Sequence, residues 1–326
     1  MNMIEVRNLS KEYHLVKKEE GIRGAIKGLI KRESQIIPAV SNLNFSIKEG
    51  EIVGFIGPNG AGKSTTIKMM TGILTPTSGE VLVDGKDITK FRKETVANIG
   101  VVFGQRSQLN WDLRLGESFE LLRHIYQVNK KQYEDTLNTM DEILGIKELM
   151  DKPVRQMSLG QRVKGDLVAA MIHSPKVLFL DEPTIGLDVG SKYALRKFVK
   201  EINEKKGTTI ILTTHDLGDI QQLCERIIII NNGQLVEDGN LSTIVDRIAP
   251  YKTLIVQYFD ENIPISEHCE LIETDGNVAK YQFMKAETTA AKLIEELSSK
   301  AMIQDIAVEE TNIEDIIRIA YQKIKC

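Results

Sequence analysis

Apolar and polar positions follow different rhythms in different parts of this chain. Ile4-Glu5-Val6-Arg7-Asn8-Leu9 and residues 39–47 alternate apolar with polar, the period of half-buried strands, and predict an antiparallel start. Between them Ile22, Ala25, Ile26, Leu29 and Ile30 recur at helical spacing, with Arg23, Lys27 and Lys31 on the other side, so residues 17–33 are predicted as a basic amphipathic helix. After residue 50 the alternation gives way to unbroken apolar runs at 52–56, 177–180 and 209–212, each closed by a polar turn, as buried parallel strands require. The stretch 112–156 is helical in period, with Phe119, Leu121, Leu122 and Ile125, then Leu137, Met140, Ile143 and Leu144, on its apolar positions. Beyond Gly239 the pattern predicts strands at 253–259 and 281–284, a helix at 288–297, a strand at 303–308 and a last helix from Ile313.

These elements predict one large α/β domain over residues 1–240, with a helical subdomain inserted at about 110–165, and a small α+β domain over 241–326. A length of 326 residues suits one large domain carrying a smaller one. The net charge of -4 exerts no whole-protein pull on nucleic acid, and none is expected as a partner. Cys224, Cys269 and Cys326 lie far apart with no CxxC pair, which argues against a disulfide framework or a zinc site and for a reducing compartment. No run of about 18 apolar residues occurs, so the chain is not expected to cross a membrane.

Chemistry enters with Gly57-Pro58-Asn59-Gly60-Ala61-Gly62-Lys63-Ser64-Thr65, which follows an apolar strand and precedes a segment able to be helical. In that context the glycines let backbone N–H groups cradle phosphate oxygens at a helix N-terminus, where the helix dipole favours negative charge. Lys63 brings a positive charge to the β- and γ-phosphates of ATP, and the Ser64 hydroxyl is a Mg²⁺ ligand. Further on, the strand Val177-Leu178-Phe179-Leu180 delivers Asp181 and Glu182 at its C-terminal end, where open parallel sheets place their ligands. Adjacent carboxylates repel. Mg²⁺ on Asp181 relieves the repulsion, and Glu182, pointing elsewhere, can polarise an attacking water.

In order and spacing these motifs resemble the ATP-binding cassette (ABC) transporter ATPases, a likeness that extends over roughly residues 1–240. Gln105, in Val101-Val102-Phe103-Gly104-Gln105-Arg106, resembles the family's Q-loop glutamine, which reaches Mg²⁺ and water; Gln108 is the rival for that role. Met157-Ser158-Leu159-Gly160-Gln161 resembles the signature LSGGQ, with Met157 for leucine and Leu159 for glycine. Read without the family, it is a serine cap at a helix start. Ile185-Gly186-Leu187-Asp188 looks like the D-loop, His215 like the switch histidine at the γ-phosphate, and Tyr13 like the aromatic that stacks on adenine.

The resemblance implies a RecA-like P-loop core with an antiparallel β-subdomain and an inserted helical subdomain. It implies Mg²⁺-dependent ATP hydrolysis with Glu182, His215 and Gln105 as catalytic residues and Ser64, Gln105 and Asp181 around the metal. It also implies that two cassettes pack head to tail, Ser158, Gly160 and Gln161 of one completing the site that Lys63, Asp181 and Glu182 build in the other. The expected partners are a second cassette and separate membrane permease subunits, at the cytoplasmic face of the cell membrane. The basic segment 17–33 carries six basic and three acidic residues, net +3, and can lie on lipid, on a permease or on its own domain. With the Gln105 phrase and the appended C-terminal domain it resembles exporter-type cassettes for drugs, lipids or polysaccharides. The rival class is an ABC ATPase that remodels nucleic acid or ribosomes, against which the chain lacks a long coiled coil, a second cassette and an iron–sulfur cysteine cluster.

Overall fold

The computed structural model describes residues 1–16, 34–104 and 106–310. The expected helix at 17–33, Gln105 and the last helix from Ile313 lie outside the described residues. The chain divides into two compact units, Met1–Asp238 and Gly239–Cys326.

The first unit begins with β1 (Asn2–Val16) and β2 (Ser34–Lys48), antiparallel and longer than the alternating pattern marks, Tyr13 pairing with Ile37 and Val6 with Phe45. β3 (Ile52–Ile56) follows, then the loop and α1 (Lys63–Met70). β4 (Ser78–Val83) and β5 (Lys86–Asp87) return to the first sheet, whose order is β2-β1-β4-β5. After the short α2 (Arg92–Val96) comes β6 (Ile99–Phe103) and then the helical region: α3 (Leu115–Ile125), α4 (Lys130–Leu144) and α5 (Leu159–Met171). β7 (Val177–Asp181), α6 (Val189–Lys206), β8 (Thr209–Thr213), α7 (Leu217–Leu223), β9 (Arg226–Asn231) and β10 (Gln234–Asn240) complete a central sheet of order β10-β9-β3-β8-β7-β6. The pairs β3/β8, β3/β9, β6/β7 and β7/β8 are parallel.

Every residue of β7 and β8 is buried, which is why these strands read as continuous apolar runs and not as alternations. The two sheets share one core: Val6, Leu9, Leu43 and Phe45 from the antiparallel sheet cluster with Val53, Phe55, Phe179 and Ile211 from the parallel one. The Phe45 and Phe55 rings meet at 5.8 Å between centroids. Because β3, β7 and β8 run the same way, the loops after Ile56, Asp181 and Thr213 gather at one edge of the sheet, where such folds hold ligands.

In the helical region the structure divides the predicted apolar stripe. Phe119, Met140, Ile143 and Leu144 are buried, whereas Leu121 is 46% and Ile125 62% exposed. At about 100° per residue Leu121 and Ile125 share a face that lies far round the helix from Phe119. α5 runs past the expected end of the subdomain into the core at Met171.

The second unit holds α8 (Leu241–Ile248), β11 (Tyr251–Tyr258), β12 (Glu270–Asp275), β13 (Val278–Met284), α9 (Ala290–Lys300) and β14 (Ile303–Glu310). Its antiparallel sheet, β12-β13-β11-β14, turns Leu254, Val256 and Tyr258 of β11 and Ala279, Tyr281 and Phe283 of β13 onto Leu293 and Leu297 of α9. The Tyr258 and Tyr281 hydroxyls meet at 2.9 Å, and Tyr281 donates to the Pro264 carbonyl at 2.8 Å, so this core buries its polar atoms in pairs. No helix among the described residues is long and apolar enough to cross a membrane.

Candidate active site

The phosphate loop connects a fully buried strand end to a helix that has no side-chain cap. Gly62, at φ 99°, starts α1, and the first N–H groups of that helix have no intrahelical acceptor. Pro58 to Thr65 line a cleft of about 200 Å³ together with Ala39 and Glu182. The ninth predicted residue, Gly57, gives its carbonyl oxygen to the Lys63 ammonium at 2.6 Å, and Pro58 gives its own at 3.1 Å. Lys63 is buried, and that burial pulls its ammonium below the usual lysine range, against the opposing pull of Glu182 and Asp181.

A second cleft, of about 290 Å³, is lined by Ser64, Lys68, Ile73, Phe103, Gly104, Arg106, Asp181 and Glu182. Asp181 ends β7 beside Thr213 at the end of β8, and Thr213 Oγ1 donates to Asp181 Oδ1 at 2.7 Å. The same threonine takes the backbone N–H of Glu182 on its Oγ1 at 2.9 Å and on its carbonyl at 3.0 Å. Glu182 sits at φ 55°, a left-handed conformation that a non-glycine residue holds only where the surroundings enforce it. There the two adjacent carboxylates diverge. Glu182 Oε1 lies 2.7 Å from His215 Nε2. Ser64 and Asp181 thus bring a hydroxyl and a carboxylate to one cleft, the hard oxygen donors that suit Mg²⁺.

The loop after β8 that carries His215 is held by a polar network through its neighbours Thr214 and Asp216. Thr214 Oγ1 lies 3.2 Å from Thr184 Oγ1 and 3.2 Å from an oxygen of the fully buried Asp219, whose other oxygen receives Arg196 Nε at 2.6 Å. Lys192 binds Asp216 at 2.6 Å. Lys192 and Arg196 belong to α6, whose N-terminal cap is Asp188, so the switch loop and the predicted D-loop are braced by one helix. Sequence reasoning missed Thr213, Thr214, Asp219 and Arg196. The signal present was a pair of threonines closing an otherwise aliphatic strand.

The signature turn stands apart from the two clefts, since none of residues 157–161 lines either of them. Within one chain Ser158 is the helix cap: its Oγ accepts from Gln161 N at 3.3 Å, and Gln161 Oε1 accepts from Ser158 N at 3.1 Å and from Lys152 Nζ at 2.9 Å. Gly160 packs close to the start of the next helix: a Cβ there would sit 2.2 Å from Ser191 Oγ and 3.1 Å from Ser191 Cβ. Leu159 lies against Gly186, so the signature turn and the predicted D-loop pack on each other. Tyr13 is 40% exposed, lines neither cleft, and carries the Lys11 ammonium 5.6 Å from its ring centroid. Gln108 is committed elsewhere, its amide donating to the Asp166 carbonyl at 3.1 Å and to the Val101 carbonyl at 3.5 Å.

A phosphate loop, a strand-end Asp-Glu pair and a histidine against the glutamate, gathered at one edge of a parallel sheet, define an ATP-binding P-loop hydrolase. The family model for "ABC transporter" matches residues 40–185. The ABC transporter ATP-binding protein NatA of Bacillus subtilis is 30% identical over 214 residues, 66% of this chain and 87% of that one. The bacitracin transport ATP-binding protein BcrA of Bacillus licheniformis is 30% identical over 85% of this chain and 90% of its own. A dimeric post-hydrolysis state of the ATP-binding cassette MJ0796, bound to ADP and Pi, superposes with a TM-score of 0.60 at 27% identity, covering 73% of this chain and 99% of that cassette. The chain belongs to the ATP-binding proteins of ABC transporters, and its P-loop fold is theirs. It is an ATPase subunit.

Proposed function

We propose that this chain hydrolyses Mg²⁺-ATP in composite sites formed by two cassettes packed head to tail, and so drives export through separate membrane permease subunits at the cytoplasmic face of the cell membrane. The observation that carries the pairing is the separation of the two half-sites. The clefts hold Lys63, Ser64, Asp181 and Glu182 but nothing from Ser158 to Gln161, while the signature turn presents its own surface beside the D-loop. That surface includes exposed Leu159, Ile185, Val189 and Tyr193, apolar area that a second cassette would cover. That the MJ0796 cassette is dimeric with bound ADP and Pi supports a pairing of two cassettes.

In this reading Lys63 leaves one of its loop carbonyls to neutralise the β- and γ-phosphates, and the N–H groups opening α1 bind their oxygens. Ser64, Asp181 and Gln105 hold Mg²⁺, which supplies charge neutralisation at the transferred phosphoryl group. Glu182 polarises the water, and His215 orients Glu182 and meets the γ-phosphate. Tyr13 stacks on adenine. The switch and D-loops share α6, so closure on one nucleotide is felt at the neighbouring half-site.

Trp111, Leu121 and Ile125, exposed on the helical region, are the apolar surface available to a permease. Export is supported by the bacitracin transport relative and by the probable multidrug ATP-binding protein YbhF of Escherichia coli, 35% identical over 62% of this chain, against methionine import relatives of similar identity. Domain limits of 1–240 and 241–326 complete the reading. Glu182→Gln should retain ATP, lose turnover by about 10²–10⁴-fold and accumulate as an ATP-bound dimer on size exclusion. A monomer with Mg²⁺-ATP, or undiminished hydrolysis, would overturn the assignment.

A further inference from the structure

Asp166 is a buried carboxylate, 6% exposed, on a helix whose start carries the signature turn, and it touches neither cleft. One of its oxygens, Oδ1, accepts from Ser107 Oγ at 2.9 Å and from the backbone N–H of Gln108 at 3.0 Å. Ser107 Oγ in turn accepts from Leu109 N at 3.1 Å, and the Gln108 amide returns to the carbonyl of Asp166 at 3.1 Å. Beside it, Gly165 packs α5 against Leu109 and Leu115, whose Cδ1 atoms would lie 2.8 and 2.9 Å from a Cβ at that position. The anchored turn begins two residues after Gln105, and the anchor lies two helical turns after Ser158.

A buried carboxylate is costly unless hydrogen bonds offset the loss of water. Burial pushes the Asp166 carboxyl up to about 6, while the bonds from Gln108, Ser107 and Leu109 and the charge of Arg162 one turn earlier hold it down. Arg162 is itself directed over the Trp111 ring, 5.2 Å from its centroid. An apolar side chain would fill this space more cheaply but would leave the Ser107 hydroxyl and the Gln108 N–H without their acceptor.

We propose that Asp166 is a positioning residue that fastens the turn after Gln105 to the signature helix, so that the nucleotide-sensing loop and Ser158 and Gly160 move as one piece. This rests on the roles given above to Gln105 and the signature turn. The consequence is mechanical: what Gln105 meets in its own site is transmitted through two hydrogen bonds and one helix to the surface that enters the neighbouring site. ATP affinity, set by the phosphate loop, is left out of this linkage.

The test uses the full chain with Mg²⁺-ATP and three variants. Asp166→Asn keeps an oxygen acceptor, Asp166→Leu keeps the volume without one, and Ser107→Ala removes one of the two bonds. Asp166→Leu should lower kcat about tenfold or more, with ATP Kd within about twofold of the parent, Ser107→Ala should lower it less, and Asp166→Asn should keep most of it. Hydrogen exchange at the Gln108 and Leu109 amides should accelerate in Asp166→Leu and not in Asp166→Asn. Equal kcat for the Leu and Asn variants, or a parental kcat for Asp166→Leu, would overturn the proposal. If Asp166→Leu does not fold, a parental kcat for Ser107→Ala overturns it alone. Hydrolysis by the parent and its loss in Ser158→Arg test the paired-site reading separately, so the two can fail independently.

Discussion

The phosphate-loop end of the site and the signature end are built on opposite principles. Around Lys63, Asp181 and Glu182 the structure holds costly features: a buried ammonium, two adjacent carboxylates, and a glutamate in a left-handed conformation. Such features persist where a ligand resolves them. At the signature end nothing is strained within the chain, because Ser158 and Gln161 satisfy each other as a capping box and Leu159 rests on Gly186. What that end shows is exposed apolar surface, with Val189 85% and Tyr193 69% accessible. One end is poised for a small anionic ligand and the other for a protein surface. The contrast supports the proposed reading, in which a single chain holds halves of two different sites.

The contrast can be broken most forcefully at the signature turn. Ser158→Arg places a long cation on the surface proposed to face a second cassette. It should abolish hydrolysis by about 10²-fold or more while ATP binding, measured with a fluorescent analogue, stays near the parent; joint loss of both would mean that the two ends are one local site. A smaller effect sharpens the link between the ends. The Asp166 carboxyl, raised to about 6 by burial, keeps a proton in the folded state that it releases on unfolding near its ordinary value of about 3.9. Its protonation therefore favours the fold at low pH, and that contribution is lost as pH rises to about 6 and does not change further above it. Relative to Asp166→Asn, the parent should lose on the order of 2 kcal/mol between pH 4 and 7, read as a shift in urea midpoint; a pH-independent difference would remove the burial argument. Smaller still, Thr213→Val withdraws one hydroxyl from both Asp181 and the Glu182 N–H. It should lower kcat about tenfold with little change in ATP affinity, and a change confined to affinity would shift Thr213 from the catalytic to the binding side of the comparison.

The phosphate-loop end was legible in sequence because each of its parts is local. A strand, a glycine loop and a helix start are contiguous, and Pro58 to Thr65 line the cleft as the spacing predicts. Asp181 and Glu182 were legible for the same reason, at the end of an aliphatic run. The supports were not: Thr213 acts on Asp181 from the neighbouring parallel strand, and Arg196 reaches Asp219 from 23 residues away. Such pairs follow from sheet order, which no local pattern encodes. The signature turn was read in two ways, as a helix cap and as a phosphate contact, and the single chain displays the first. In the second unit β12 was missed because five of its six residues are exposed and its two apolar residues, Leu271 and Ile272, are adjacent, leaving no alternation to detect. Leu121 and Ile125 were assigned to an apolar stripe with Phe119, but helical geometry separates them and leaves the pair exposed.

The central claim is that a working site takes residues from two chains, and complementation tests it most directly. Lys63→Ala breaks one half-site and Ser158→Arg the other, so each variant alone should be inactive. Mixed one to one, random pairing should give mixed dimers with one intact composite site, and hydrolysis should recover to about a quarter of the parental rate if the sites act independently. A mixture as inactive as its components, under conditions where the two variants form mixed dimers, would contradict the paired site.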